Sequence, residues 1–228
     1  MLHPYLDILP EAQRALWPML RPTPALGFVL YGGTAIALRL GHRTSVDFDF
    51  FSDRPLSRDT MDHTLSFLRT ATLIQDEPNA LSILVHNPPA TAQPVKVSFF
   101  GTITLGRVGT PDYTDDGMLQ IASLDDLMAT KLKVMLQRIE AKDYRDVAAM
   151  LQAGASLAKG LAAARALYGV RFQPSESLKA LVYFKGSDLH TLRHDEKYTL
   201  VNAVKNVGDL PTLHMYAQEL ALSPPSPQ

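Results

Sequence analysis

Residues 45–51, SVDFDFF, constrain the fold of this chain more than any other stretch. In a β-strand, Val46, Phe48 and Phe50 share one side, and the two aspartates between them share the other. Two phenylalanines on one side require a hydrophobic core behind the strand. The stretch therefore predicts a sheet strand with a buried aromatic face and a face that carries two carboxylates.

The pattern around this strand predicts a mixed first half and a helical second half. We expect an α+β fold, with a mixed sheet and flanking helices followed by a helical C-terminal half. The expected segments are 1–120, 121–222 and a flexible tail at 223–228. The predicted strands are 25–31, 45–51, 71–75, 81–85 and 95–100, and the predicted helices are 11–20, 34–40, 59–69, 123–140, 142–153, 156–168, 175–184, 194–206 and 211–222.

Composition excludes several classes of protein. The 228 residues carry 22 basic and 23 acidic side chains, which excludes a globally basic nucleic-acid binder but leaves room for a local basic patch. The absence of Cys excludes disulfides, a Cys-type zinc site and a thiol nucleophile. Neither a signal peptide nor an apolar run of about 20 residues is visible, so we expect a soluble, cytoplasmic protein without membrane contact.

A second pattern precedes the aspartates by about a dozen residues. Gly32 and Gly33 separate the predicted strand from the predicted helix and allow a phosphate to approach the backbone. Thr34 adds a hydroxyl at the start of that helix. Asp47 and Asp49 stand two residues apart, on one strand face, and such carboxylates repel each other unless a cation lies between them. Together these features predict a site for phosphoryl or nucleotidyl transfer.

These residues also carry a resemblance to a known family. Residues 32–38 (GGTAIAL) with residues 43–51 (RTSVDFDFF) resemble the first motif of the AbiEii/AbiGii-type nucleotidyltransferase toxin family, within the DNA polymerase β-like superfamily. The later motif of that family resembles residues 126–131, Arg138 and residues 142–146 (KDYRD). Both motifs occur in the expected order, and the resemblance covers most of residues 25–150.

The resemblance implies an activity, a cofactor and partners. It implies transfer of a nucleoside monophosphate from an NTP, with Mg²⁺ (or Mn²⁺) on Asp47 and Asp49 within the 1–120 core. The acceptor is a hydroxyl, with tRNA 3′ ends as one candidate, and an antitoxin is the expected partner. The residues implied for the nucleotide are Gly32, Gly33, Thr34, Arg43, Ser45 and Arg138, and those implied for catalysis are Asp47, Asp49, Lys131, Asp143 and Asp146.

The helical cluster also permits an ordinary structural interpretation. Lys131 and Arg138 are seven residues apart, which places them on nearly one helix face. They could face phosphates, or they could belong to a helix surface covered with ion pairs. Asp143 suits the start of a helix, where an acid interacts favourably with the helix dipole. The sequence alone leaves both interpretations open.

One departure from the wider superfamily concerns a third carboxylate. Many polymerase β-like enzymes carry this acid on a later strand, where it takes the proton of the attacking hydroxyl. On the predicted strand 95–100, Lys96 and Ser98 share the polar face, and Ser98 occupies the expected position. Either another residue supplies the acid, or two acids suffice, or catalysis is impaired. Ser98 motivates one alternative, a catalytically impaired nucleotide-binding or partner-binding module on the same fold. The other alternative is an NMP transferase acting on a small molecule or protein.

Overall fold

The computed structural model describes residues 1–86 and 93–223. The chain forms two compact units. The first contains residues 1–106, 110–122 and the segment from 217 onward, and the second contains residues 107–109 and 123–216. Residues 224–228 of the predicted tail lie outside the described part of the chain. Within that part, no helix is both long and apolar enough to span a bilayer.

A mixed sheet of seven strands organises the described residues of the first unit, in the order β3-β4-β5-β2-β1-β7-β6. The pairs β2–β5 and β1–β7 are parallel, and the other neighbouring pairs are antiparallel. This sheet and the helices beside it confirm the predicted α+β class. The strands are β1 (Val29–Tyr31), β2 (Asp47–Phe51), β3 (Thr72–Glu77), β4 (Ala80–Val85), β5 (Val95–Phe100), β6 (Asp112–Tyr113) and β7 (Gln120–Ile121).

The alternation in residues 45–51 produces the buried sheet face that it predicts. Phe48 and Phe50 are fully buried, and Phe50 stacks on Phe99 of β5 with ring centroids 5.3 Å apart. Burial of each such ring contributes roughly 1.5–3 kcal/mol to folding. Val46 departs from the prediction, because β2 begins at Asp47 and leaves the valine 57% exposed.

Three α-helices accompany this sheet in the described residues: α1 (Glu11–Leu16), α2 (Gly32–Leu40) and α3 (Arg58–Thr64). The helix predicted over 11–20 changes to a 3₁₀ turn at Trp17–Leu20, where Pro18 lacks a backbone N–H. The strand predicted over 25–31 is shorter than expected. A turn closed by the Gly27 N–H on the Pro24 carbonyl occupies its first residues, with Gly27 at φ +83°.

The second unit is helical, with α4 (Leu124–Val134), α5 (Ala141–Gln152), α6 (Leu157–Tyr168), α7 (Pro174–Leu181) and α8 (His194–Lys205) among its described residues. The predicted N-cap is confirmed, since the Ser123 hydroxyl accepts a hydrogen bond from the Asp126 N–H. The predicted helix over 123–140 ends early, at Val134.

The helix predicted over 211–222 is wrong. Several of its backbone N–H groups bond to groups far away in sequence instead of to carbonyls four residues back. The Leu220 N–H donates to the Asp53 carboxylate at 3.0 Å, and the Leu222 N–H donates to the Gln120 side chain at 2.7 Å. The segment therefore has no regular secondary structure, because tertiary hydrogen bonds replace the helical ones.

Candidate active site

Gly32 lies where β1 meets α2, and its conformation favours glycine over other residues. The structure corrects the sequence interpretation here, because Gly32 and Gly33 form the first turn of α2, with Tyr31 as N-cap, rather than a loop before it. Gly32 has φ +74°, and a Cβ on it would lie 2.8 Å from Oδ2 of Asp49. The second aspartate therefore contacts the backbone at the N-terminus of a nine-residue helix.

Asp47 and Asp49 occupy the face of β2 opposite the buried phenylalanines, and both are partly exposed. In the sheet register, Asp49 is paired with Tyr31 of β1 on one side and with Ser98 of β5 on the other. The structure thus places both acids on one strand face, as the sequence predicts from their spacing, and brings Asp49 next to Gly32.

Thr34 and Ser45 connect α2 to the start of β2. The Thr34 hydroxyl is buried, donates to the backbone carbonyl of Asp47 and lies 2.8 Å from the Ser45 hydroxyl, with which it forms a second hydrogen bond. These bonds fix the backbone that carries the first aspartate. Contact of either hydroxyl with a nucleotide stays a prediction, and the observed bonds give both residues a positioning role.

Arg43 lies in the connection between α2 and β2. This connection begins at Gly41, the left-handed C-cap of α2. The guanidinium of Arg43 donates to the Thr44 carbonyl at 2.9 Å. Arg43 stands two positions before the buried Ser45 and four positions before Asp47 in the sequence. Its predicted contact with phosphate stays a prediction.

The donor set of this site fits a hard divalent cation. Among the described residues, no cluster of three or more His, Cys, Asp or Glu side chains could hold a metal ion. At this site the described residues offer the two carboxylates of β2. Mg²⁺ is commonly bound by one or two carboxylates together with water and substrate phosphates. Asp47 and Asp49 would hold it, and the absence of a Cβ on Gly32 lets the Asp49 carboxylate approach the start of α2.

Ser98 occupies the expected position of a third carboxylate. It is paired in register with Asp49, is 1% exposed, and its hydroxyl accepts a hydrogen bond from Ser82 of β4 at 3.2 Å. A serine there cannot act as a carboxylate base. Three acids that follow β5 in the sequence form side-chain hydrogen bonds with other residues: Asp112 with Arg39, Asp115 with His3 and Asp116 with Trp17.

The second predicted cluster forms within the second unit. The ammonium of Lys131 lies 2.6 Å from an Asp143 oxygen and 2.7 Å from an Asp146 oxygen. Arg138 Nε donates to the other Asp143 oxygen at 2.9 Å. Both carboxylates are fully buried, and Lys131 is nearly so. The four residues implied by the later motif are therefore brought together by the end of α4, the connection that carries Arg138 and the N-terminal half of α5.

The electrostatics of this cluster favour the ionised acid. Burial alone would raise the pKa of the Asp143 carboxyl, but hydrogen bonds from Arg138 and the charge of Lys131 outweigh it and hold that pKa below its ordinary value. Two cations and two anions cancel, and the Lys131 ammonium is shared by two carboxylates. Arg138, with a side chain 45% exposed, is the cluster member most accessible to solvent. Stabilisation of transferred charge by Lys131 stays a prediction.

The sequence pattern does not identify one residue that lies beside the acids as a site candidate. Lys96 of β5 is exposed and is paired in register with Asp47. Alternation places it on the polar face of its strand, but alternation does not reveal which strand lies beside β2. The parallel pairing of β2 with β5 supplies that information.

Comparison with known proteins gives a family and two individual similarities. A family model described as nucleotidyl transferase AbiEii toxin, type IV TA system, matches residues 14–202. An uncharacterized protein of Aquifex aeolicus (strain VF5), aq_aa25, is 29% identical over 122 residues, which are 53% of this chain and 55% of that protein. The match thus spans about half of the relative's length.

A solved structure is also similar. The crystal structure of an antigenic nucleotidyltransferase-like protein from Paracoccidioides brasiliensis matches with a TM-score of 0.49 and 15% identity. The match covers 84% of this chain and 94% of that chain.

Proposed function

Because this chain belongs to the AbiEii family of nucleotidyl transferase toxins from type IV toxin–antitoxin systems, we propose that it transfers a nucleoside monophosphate from an NTP to an acceptor hydroxyl. We further propose that it acts as a toxin whose partner is an antitoxin, and that it uses Mg²⁺ (or Mn²⁺). NTP and the candidate tRNA acceptor are cytoplasmic molecules, so the proposed place of action is the cytoplasm.

The contact between Gly32 and Asp49 is the observation that carries this proposal. It places a carboxylate against the first turn of α2, whose backbone N–H groups and positive dipole end attract anions. An anionic phosphate beside a carboxylate requires a cation between them. A metal–nucleotide complex supplies both the phosphate and the cation, which neither a free anion nor a free metal ion does.

The proposed reaction exchanges one phosphorus–oxygen bond for another. The acceptor hydroxyl oxygen bonds to the α-phosphorus, and the bond from that phosphorus to the oxygen bridging to the β-phosphate breaks. Pyrophosphate leaves with the electron pair, and the hydroxyl proton passes to a carboxylate or to water. A bound divalent cation neutralises phosphate charge during this exchange.

The residues of this chain bind and orient the reactants. Gly32 and Gly33 leave room for the polyphosphate at the start of α2. Thr34 and Ser45 hold the backbone of Asp47, so that the two carboxylates keep one orientation. For Arg138 and Lys131 we propose a contribution of positive charge, with Asp143 and Asp146 holding their side chains in place.

The direct test is incubation with each radiolabelled NTP, Mg²⁺ and total tRNA, followed by gel analysis of the RNA. We expect label from one or more NTPs on RNA 3′ ends. Parallel reactions with protein and small-molecule hydroxyl acceptors test the other acceptor classes. The matched control is Asp62→Asn, which removes an exposed carboxylate on α3 and should leave transfer unchanged.

Ser98 favours a second candidate function. A serine where a third carboxylate would take the hydroxyl proton is compatible with a module that binds nucleotide without transferring it. In that case, equilibrium dialysis would show NTP binding that depends on Asp47 and Asp49, while no acceptor in the preceding assay became labelled.

A further inference from the structure

Lys96 stands beside the acid pair on the neighbouring strand. β5 runs parallel to β2, with Lys96 in register with Asp47 and Ser98 in register with Asp49. Neighbouring strands lie about 4.8 Å apart, and residues in register point to the same face of the sheet. Val95 and Val97 are buried on the other face, whereas Lys96 is exposed. Its side chain therefore shares the solvent-facing surface with the two carboxylates.

The sheet order places the acids between two features that attract anions. β2 lies between β1 and β5, so the first turn of α2 is on one side of the acids and Lys96 is on the other. Two strand spacings separate these sides by about 10 Å, a distance that a polyphosphate and a flexible lysine side chain can bridge together.

Lys96 differs from the eight arginines among the first 130 residues in carrying a compact ammonium. It is the only lysine among the first 130 residues, and the other eight lysines lie between residues 131 and 205. A lysine ammonium is a compact point charge that binds phosphate and repels a metal ion. Beside Asp47, it therefore favours an anionic ligand and disfavours a cation that arrives alone.

We propose that Lys96 contacts the polyphosphate of the NTP and makes the acid pair selective for a metal–nucleotide complex over the free metal ion. This inference rests on the proposed function, since it assigns a further nucleotide contact to the same site. It predicts opposite effects of one substitution: loss of the ammonium weakens nucleotide binding, and it leaves metal binding unchanged or strengthens it.

The test compares Lys96→Met with Arg69→Met, which removes one positive charge from an exposed position of the same unit. Mn²⁺ affinity is measured by electron paramagnetic resonance without nucleotide, and NTP affinity by equilibrium dialysis with Mg²⁺. For Lys96→Met we expect an NTP Kd raised about fivefold, the size of one charge contact near water, with Mn²⁺ affinity unchanged or higher. Lys96→Arg, which keeps the charge, should bind NTP within about twofold of wild type.

Two results would overturn the proposal. One is an NTP Kd for Lys96→Met equal to that of Arg69→Met. The other is a parallel loss of NTP and Mn²⁺ binding, which would indicate damage to the strand rather than loss of a phosphate contact.

The Asp47→Asn variant distinguishes failure of the Lys96 proposal from failure of the proposed function. If Asp47→Asn abolishes Mn²⁺ and NTP binding while Lys96→Met behaves like Arg69→Met, only the role of Lys96 is wrong. If Asp47→Asn leaves both affinities unchanged, the acid pair is not the site, and both proposals are wrong.

Discussion

At the residue scale, Gly32 links the backbone of α2 to the acid pair. Its positive φ alone favours glycine, and the contact with Asp49 adds a steric reason. The sequence reveals the glycine pair but not this contact, because the approach of β2 to the start of α2 depends on how the sheet is assembled. The functional significance of the position therefore follows from the tertiary structure.

Gly32→Ala should impair transfer more than its effect on stability explains. A left-handed conformation costs alanine about 1–2 kcal/mol, and the added Cβ must displace the Asp49 carboxylate. We expect NMP transfer to fall by more than about tenfold, as is common when a positioned group moves by an ångström. Urea unfolding measured beside the transfer assay separates the two effects.

Gly117→Ala is the matched control for this change. Gly117 has φ +70°, but nothing lies within 4 Å of where its Cβ would be. It should lose similar stability and keep its activity. Equal activities for the two folded variants would show that the contact with Asp49 is irrelevant to transfer.

At the element scale, the junction of α4 and α5 depends on buried ion pairs. The apolar pattern of residues 124–139 continues past Val134, so the sequence predicts a longer helix than the structure contains. Arg138 lies beyond the end of that helix and donates to Asp143 of α5. Glu140, its other ionic partner, is the N-cap of α5. Periodicity does not reveal such contacts, and Leu136 and Ile139, which continue the apolar pattern, are exposed.

Asp143→Asn should make stability less dependent on pH in acid. The pKa of Asp143 is depressed in the folded protein, so its ionised form stabilises the fold above the unfolded-state pKa of about 4. This contribution is lost as the pH falls through the depressed pKa. We expect Asp143→Asn to cost roughly 3 kcal/mol at pH 7, the usual effect of breaking a buried ion pair.

Urea denaturation from pH 7 downward measures this difference. The gap between wild type and Asp143→Asn should narrow as the pH falls below about 4, whereas Asp62→Asn should follow wild type throughout. A gap that stays constant over this range would mean that the charge of Asp143 does not stabilise the fold.

At the scale of the whole molecule, charge is distributed unevenly along a nearly neutral chain. The net charge is −1, and eight of the nine lysines lie between residues 131 and 205. A neutral chain is not expected to wrap a long stretch of RNA, so an RNA acceptor should be contacted locally.

The fold class could be predicted from the sequence pattern, because alternation and helical periodicity are local signals. The pairing of β2 with β5 and the irregular segment 211–222 are not predictable in this way, because they depend on partners distant in sequence.

The salt dependence of tRNA binding tests local contact. If the protein neutralises few phosphates, its tRNA affinity falls only slowly with salt. The slope of log binding constant against log salt concentration should then be no steeper than about −3. Filter binding over a range of salt concentrations measures this slope. A slope near −10, typical of extensive phosphate contact, would contradict the expectation.

The most direct test of the central claim is NMP transfer by the Asp47→Ala/Asp49→Ala double variant. The variant must first show the circular dichroism spectrum and urea unfolding midpoint of a folded protein. Our account predicts that it incorporates no label from any NTP into an acceptor that wild type labels. Retained transfer by the folded double variant would contradict the assignment of the acid pair as the catalytic centre.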